Sequence, residues 1–198
     1  VEREDGRRQR GRQRYELVME AALGIIRRGL ATLTIRAVAD AAGVSIASVT
    51  YHFPSRDELV QAVCAEAMAR DVAATGRVMD ELRADRNLLT MSAEDFADWL
   101  VDLIYDPASW AVPMFGIYLE ISRQPELAGV CRAWEQAIVD LLSGLLSDAG
   151  APNPVQGARI LAASLDGIRL PMLADAGEAS RLLDAADLAY LLTFLLAR

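Results

Sequence analysis

The residues that could do chemistry are few here, and their types narrow what the chain can do. There is one histidine, His52, and there is no lysine, since all 20 basic residues are arginine. A P-loop lysine, a lysine Schiff base and a kinase-type catalytic lysine are thereby excluded. One histidine cannot build an HExxH site. The two cysteines, Cys64 and Cys131, form no CxxC pair, and no GxG occurs, so neither a protein-built zinc site nor a dinucleotide fingerprint is expected. Catalytic residues, metal ligands and cofactors are all expected to be none. Carboxylates remain for acid–base work, but Asp95, Asp98 and Asp102 recur at three- and four-residue steps, as on a solvated helix face. The cysteines read as small buried hydrophobes of a reducing compartment.

Charge is divided unevenly along the chain. Residues 1–56 carry ten arginines against six acids, whereas residues 57–198 carry ten against 22, so a net +4 precedes a net −12. A basic head on an acidic body fits a chain that touches a polyanion with one end. Arg7, Arg8, Arg10, Arg12 and Arg14 crowd the opening stretch. They either reach along a phosphate backbone and into an adjacent minor groove, or form a solvated arm that Gly6 and Gly11 keep loose.

The run from Thr34 to Phe53 has the pattern of a helix-turn-helix, two short helices joined by a turn containing Gly. Thr34 is placed as the N-cap of a helix over 35–42, and Ser45 as the N-cap of a second helix to about Tyr51. Ala39 must be small where the second helix crosses the first. Gly43 takes the left-handed turn conformation that a Cβ would penalise. Val38, Val44, Val49 and Phe53 complete the small core.

Thr34–Leu59, with the long helix before it, closely resembles the DNA-binding domain of TetR-type transcriptional regulators. The run from Ala42 to Leu59 resembles that family's signature almost residue for residue. Two positions depart from it. Thr50 stands where the family often has a phosphate-contacting Tyr, and Arg56 stands where it usually has Lys. The resemblance covers the first quarter to third of the chain; the remainder is similar in length and helical texture.

Contact roles follow from side-chain chemistry. Ser45, Ile46, Ala47 and Ser48 begin the second helix, whose first turn enters the major groove. The two serines suit phosphates or base edges, and Ile46 and Ala47 suit thymine methyls. Arg36 is the candidate for bidentate guanine reading. Thr50, Tyr51, His52 and Arg56 are candidate phosphate contacts that set register. Ser45 is also a cap, and His52 is either a helix-end cap or a DNA contact.

The elements that position these residues are read as helices throughout, an all-α fold. The first covers about 13–28 behind a polar arm and stops at Gly29. Others are expected at 55–75, opened by a Ser55/Glu58 capping box, and at 78–88, 92–106, 108–123, 126–148, 154–174 and 180–197. Pro113 and Pro171 should kink their helices. An arm and three-helix DNA-binding domain, residues 1–58, is followed by a larger helical bundle for ligand binding and dimerisation, residues 59–198.

One such motif touches few bases, so a homodimer is expected, reading two half-sites of a palindromic double-stranded operator. The resemblance implies an interface formed by the last two helices, at about 154–174 and 180–197. Ile160, Leu161, Leu165, Ile168 and Met172 supply one apolar face, and Leu182, Leu183, Ala186, Ala189, Tyr190 and Phe194 the other. These faces could equally be an intramolecular core. A DNA clamp needs no large second domain, which points to a sensor of a small-molecule effector, and the resemblance implies a repressor released by it. Trp99, Leu103, Trp110, Met114, Phe115, Tyr118, Trp134 and Arg169 are candidate pocket residues for an apolar or aromatic ligand, although aromatics at helical spacing also build cores. The alternative is a helical enzyme or carrier, for which the residue inventory leaves little. No apolar stretch approaches the roughly 20 residues of a membrane span, and the opening has no signal-peptide pattern, so a soluble cytoplasmic protein is expected.

Overall fold

The structure, a computed structural model, describes residues 2–104, 116–120, 124–169 and 184–197. Among them the regular elements are helices, and no strand occurs. The chain divides into two compact units. One comprises Val1–Met68 with Gly116–Val130, and the other Ala69–Phe115 with Cys131–Arg198.

In the first unit, α1 (Glu2–Ile26) leads through a 3-10 turn (Leu30–Thr32) to α2 (Ile35–Ala42) and α3 (Ile46–His52). The opening part of α4 (Arg56–Asp85), as far as Met68, follows, with the helical segment 116–120, here α6. α2 and α3 both pack on α1. Val18, Ala22, Ile25 and Ile26 of α1 are buried, as are Leu33, Val38, Ala39, Val49, Phe53 and Leu59. The apolar face of α1 therefore begins only at Val18, yet its backbone is helical from Glu2. Residues 2–10 of the expected polar arm are thus part of the helix. Arginine and glutamate are good helix formers, and ion pairs one turn apart support the extension, as between Arg12 Nε and Glu16 Oε1 at 3.1 Å. Gly6 and Gly11 do not break it.

The second unit holds the rest of α4, α5 (Ala93–Ile104), most of α7 (Leu127–Asp148), α8 (Pro154–Arg169) and α9 (Ala185–Leu196). Its core is aliphatic around one ring: Met79, Leu82, Phe96, Leu100, Leu142, Leu145, Leu146, Leu161, Leu165 and Leu192 are buried together. α5 lies along α9. Arg83 ties α4 to α7, its Nε donating to Asp148 Oδ2 at 2.7 Å and its Nη1 to Asp80 Oδ1 at 2.9 Å. These carboxylates raise the guanidinium further above its already high value, against the opposing effect of burial. The Trp134 indole Nε1 donates to Asp71 Oδ2 at 2.9 Å.

Two further expectations change. A single helix, α4, replaces the two expected over 55–75 and 78–88. Gly76, which falls between the two expected helices, lies inside it, 3.7 Å from Leu141 Cδ2 as measured from an ideal Cβ, where α7 packs on α4. α9 starts at Ala185 rather than near 180. Asp184, in extended backbone, accepts from the N–H groups of Ala186 and Asp187, and Asp187 Oδ2 accepts from the Asp184 N–H. This reciprocal cap sets the first turn. Pro113, Pro171, most of the helix expected over 108–123 and the end of that expected over 154–174 lie outside the described residues.

Candidate nucleic-acid interface

Local capping builds the helix-turn-helix. Thr34 Oγ1 accepts from Ala37 N at 3.0 Å, which opens α2. Gly43 closes it at φ +65°, and Val44 N reaches back to Ala39 O at 3.0 Å, a left-handed stop that a side chain would strain. Ser45 Oγ then accepts from Ser48 N at 3.1 Å, opening α3 three residues after α2 ends. Buried Ala39 and Val49 hold the two helices together. At the start of α4, Ser55 Oγ accepts from Glu58 N at 3.1 Å, and its hydroxyl lies 3.1 Å from Glu58 Oε1. The carboxylate thus takes the side-chain proton instead of completing a reciprocal box.

With its core-facing residues buried, α3 turns a continuous strip outward. Ser45, Ile46 and Ala47 are exposed and Ser48 is half-buried. Tyr51 is 82% exposed, the most open large ring of the head. Arg36 is exposed on α2. His52 is half-buried between rings, its centroid 5.1 Å from Tyr51 and 5.6 Å from Tyr15, both edge-on. Tyr15 also lies 5.6 Å from Phe53. Sequence reasoning gave Tyr15 no part in this site. Its position among charged residues, ahead of the buried run, was the available signal.

Two candidate phosphate contacts are engaged within the protein. The Thr50 hydroxyl donates to Ile46 O at 3.2 Å and lies 3.3 Å from Ala47 O. Arg56 Nε donates to Leu33 O at 3.0 Å, fastening the start of α4 to the turn before α2. The terminal guanidinium nitrogens carry the remaining donors. The arrangement presents apolar and hydroxyl groups at the first turn of a short exposed helix, with cations and a phenol to either side. That is suited to a groove edge flanked by phosphates.

The family profile described as "Bacterial regulatory proteins, tetR family" matches residues 18–63. That described as "Tetracyclin repressor-like, C-terminal domain" matches residues 91–198, more than half of the chain. The chain belongs to the TetR family. It is a DNA-binding transcriptional regulator of that family. Solved structures agree. A TetR-family member from Streptomyces coelicolor A3 is 25% identical, with 93% of this chain and 99% of that one covered and a TM-score of 0.67. The multidrug binding protein EbrR complexed with proflavin is 27% identical, with 92% and 99% covered and a TM-score of 0.65. Salmonella enterica GusR, at 19% identity, 94% and 96% coverage and a TM-score of 0.68, shares the fold. No curated protein matches the sequence.

The candidate effector residues of this TetR-family chain are distributed unevenly. Trp99 lines a groove of about 400 Å³ in the second unit, with Val78, Leu82 and Met91 on its apolar side and Glu81, Asp85, Asp95, Asp98 and Asp102 among its polar lining. The Trp99 ring also lies 5.9 Å from Phe96. Leu103 is half-buried on α5, and Trp134 is buried on Asp71. Tyr118 is half-buried and belongs to the first unit. Trp110, Met114, Phe115 and the Arg169 side chain lie outside the described residues. No group of three metal-binding side chains occurs among the described residues, and no described helix is long and apolar enough to cross a membrane. Burial pushes the Cys131 thiol up, with Glu135 adding to the effect.

Proposed function

We propose that this protein is a repressor that binds a palindromic operator as a homodimer and leaves it when a small apolar or aromatic effector binds. Residues 1–58 are the DNA-reading head and residues 59–198 the effector and dimerisation domain. The observation that carries the reading is the preformed helix-turn-helix, whose caps at Thr34 and Ser45 set α3 with Ser45, Ile46 and Ala47 outward. Arg36 reads a base edge, Ser48 and Tyr51 join the α3 contacts, and Thr50, His52 and the free end of Arg56 meet phosphates.

The exposed rings of α9 support a dimer. Tyr190 and Phe194 are 70% and 64% exposed and stack edge to face at 5.0 Å, while Ile160 and Val155 of α8 are also open. Of the other residues proposed for this face, Leu161, Leu165, Ile168 and Ala189 are buried within the protomer. The interface is therefore read on Ile160, Ala186, Tyr190 and Phe194. Large open rings on a helix are favoured sites for association.

The effector class draws on EbrR, described as a multidrug binding protein and complexed with proflavin, ethidium and malachite green. A planar aromatic effector suits a domain that carries all three tryptophans. Because its target is DNA, the protein is read as a cytoplasmic non-enzyme. Mobility-shift titration of a bound duplex with such compounds tests the effector. Release is the expected result, and retention of DNA across a broad apolar and aromatic set contradicts it.

A further inference from the structure

A side chain that is free to turn must give up rotamer freedom when it binds, so a contact is tighter when the protein already holds it. Of the candidate phosphate contacts near the end of α3, Thr50 is held by its hydroxyl on Ile46 O and Arg56 by its Nε on Leu33 O. His52 has no such tie. Among the described residues its imidazole makes no hydrogen bond, so it does not cap α3. Two rings fix it instead, each met edge-on, Tyr51 at 5.1 Å and 82° and Tyr15 at 5.6 Å and 76°. Edge-to-face contact at such distances is a favoured aromatic geometry. The two rings are not equivalent. Tyr51 is the adjacent residue of α3 and is 82% exposed, so little of it is packed. Tyr15 comes from α1, one turn before the buried Val18, and is 39% exposed. Its ring also lies 5.6 Å from that of Phe53, which is 4% exposed. Among the described residues the Tyr15 phenol makes no hydrogen bond, so the ring and not the hydroxyl makes these contacts.

We propose that Tyr15 is a positioning residue for DNA binding: anchored on Phe53, its ring holds the His52 imidazole in the orientation that meets a phosphate. Tyr15 acts through His52 and makes no DNA contact of its own. The proposal rests on the reading of His52 as a phosphate contact and adds the group that prepares it. Holding one side chain in its bound orientation removes its ordering cost, which corresponds to about two- to tenfold in affinity per head. Because the contact is to the backbone, the gain applies to any duplex sequence.

The test is a double-mutant cycle in the full chain with Tyr15→Leu and His52→Ala, read as affinity for a random-sequence duplex at one fixed low salt, where phosphate contacts dominate. Leucine keeps apolar cover over Phe53 and removes the ring. Tyr15→Leu should weaken binding about two- to tenfold, and that loss should vanish where His52 is already alanine. Tyr15→Phe, which keeps the ring, should bind as the unsubstituted chain does. A second readout needs no substitution and so does not depend on a variant folding. His52 is the only histidine, so its imidazole proton signals are identified without ambiguity by NMR. They should show contacts to the Tyr15 ring in the free and the duplex-bound protein alike. An unchanged affinity for Tyr15→Leu, equal losses in the two backgrounds, a loss on Tyr15→Phe, or disappearance of the ring contact on DNA overturns the proposal. In each of those cases a loss on His52→Ala alone leaves the phosphate role of His52 standing. If His52→Ala alone costs no affinity, that role falls and the proposal falls with it.

Discussion

At Gly43 an added Cβ would meet open space, yet the backbone sits at φ +65°. Gly43→Ala therefore strains only the backbone. It should cost about 1–2 kcal/mol, read as a lower denaturation midpoint, whereas an unchanged midpoint would show that the turn can relax. Arg36 and Tyr51 are exposed on the head, so truncating them should spare the fold. The double variant Arg36→Ala, Tyr51→Ala should keep its thermal midpoint and weaken duplex binding by at least roughly tenfold, at about 1–3 kcal/mol for a good base-edge pair. Unaffected binding would mean that another surface reads DNA. Asp71 is a different kind of residue, since it satisfies the buried Trp134 indole. Asp71→Ala leaves that N–H without its acceptor and should destabilise the fold by about 1–3 kcal/mol in denaturant unfolding. Retained stability would show that water replaces the carboxylate.

Elements bracketed by local signals were legible, and those decided by distant contacts were not. α2 and α3 fall where Thr34, Gly43 and Ser45 place them, because a cap or a left-handed glycine acts within one turn. α4 runs through Gly76 because α7 packs there, a contact spanning 65 positions of sequence from Gly76 to Leu141 that no local pattern shows. α1 extends to Glu2 through arginine-rich turns with no apolar face to announce them. The candidate site divides in the same way. The exposure of Ser45, Ile46 and Ala47 follows from their place at the start of α3, whereas the bond from Arg56 to Leu33 O joins residues 23 positions apart. α9 carries a prediction of its own. Tyr190→Glu with Phe194→Glu puts charge on open rings and spares the buried Leu188 and Leu192. The expected outcome is a folded monomer in sedimentation equilibrium, and a persistent dimer would place the interface elsewhere.

The molecule as a whole joins a basic head to an acidic body, +4 over residues 1–56 and −12 over residues 57–198. Electrostatics therefore favours approach to a duplex by the head, while the body repels it. The proposed repressor also needs the body to bias the head. Effector and DNA must bind different conformations, with a coupling of typically about 1–3 kcal/mol, and each then weakens the other by the same factor. Two heads held by α8 and α9 would read half-sites about 34–36 Å apart, or a multiple of that distance. The most direct measurement is selection of duplexes by the full-length chain from a random pool, at a fixed moderate salt because phosphate-driven affinity depends so steeply on it. The account predicts recovery of a near-palindrome whose half-sites are lost together with Arg36 and Tyr51. Recovery of no preferred sequence by folded, effector-free dimer would contradict it.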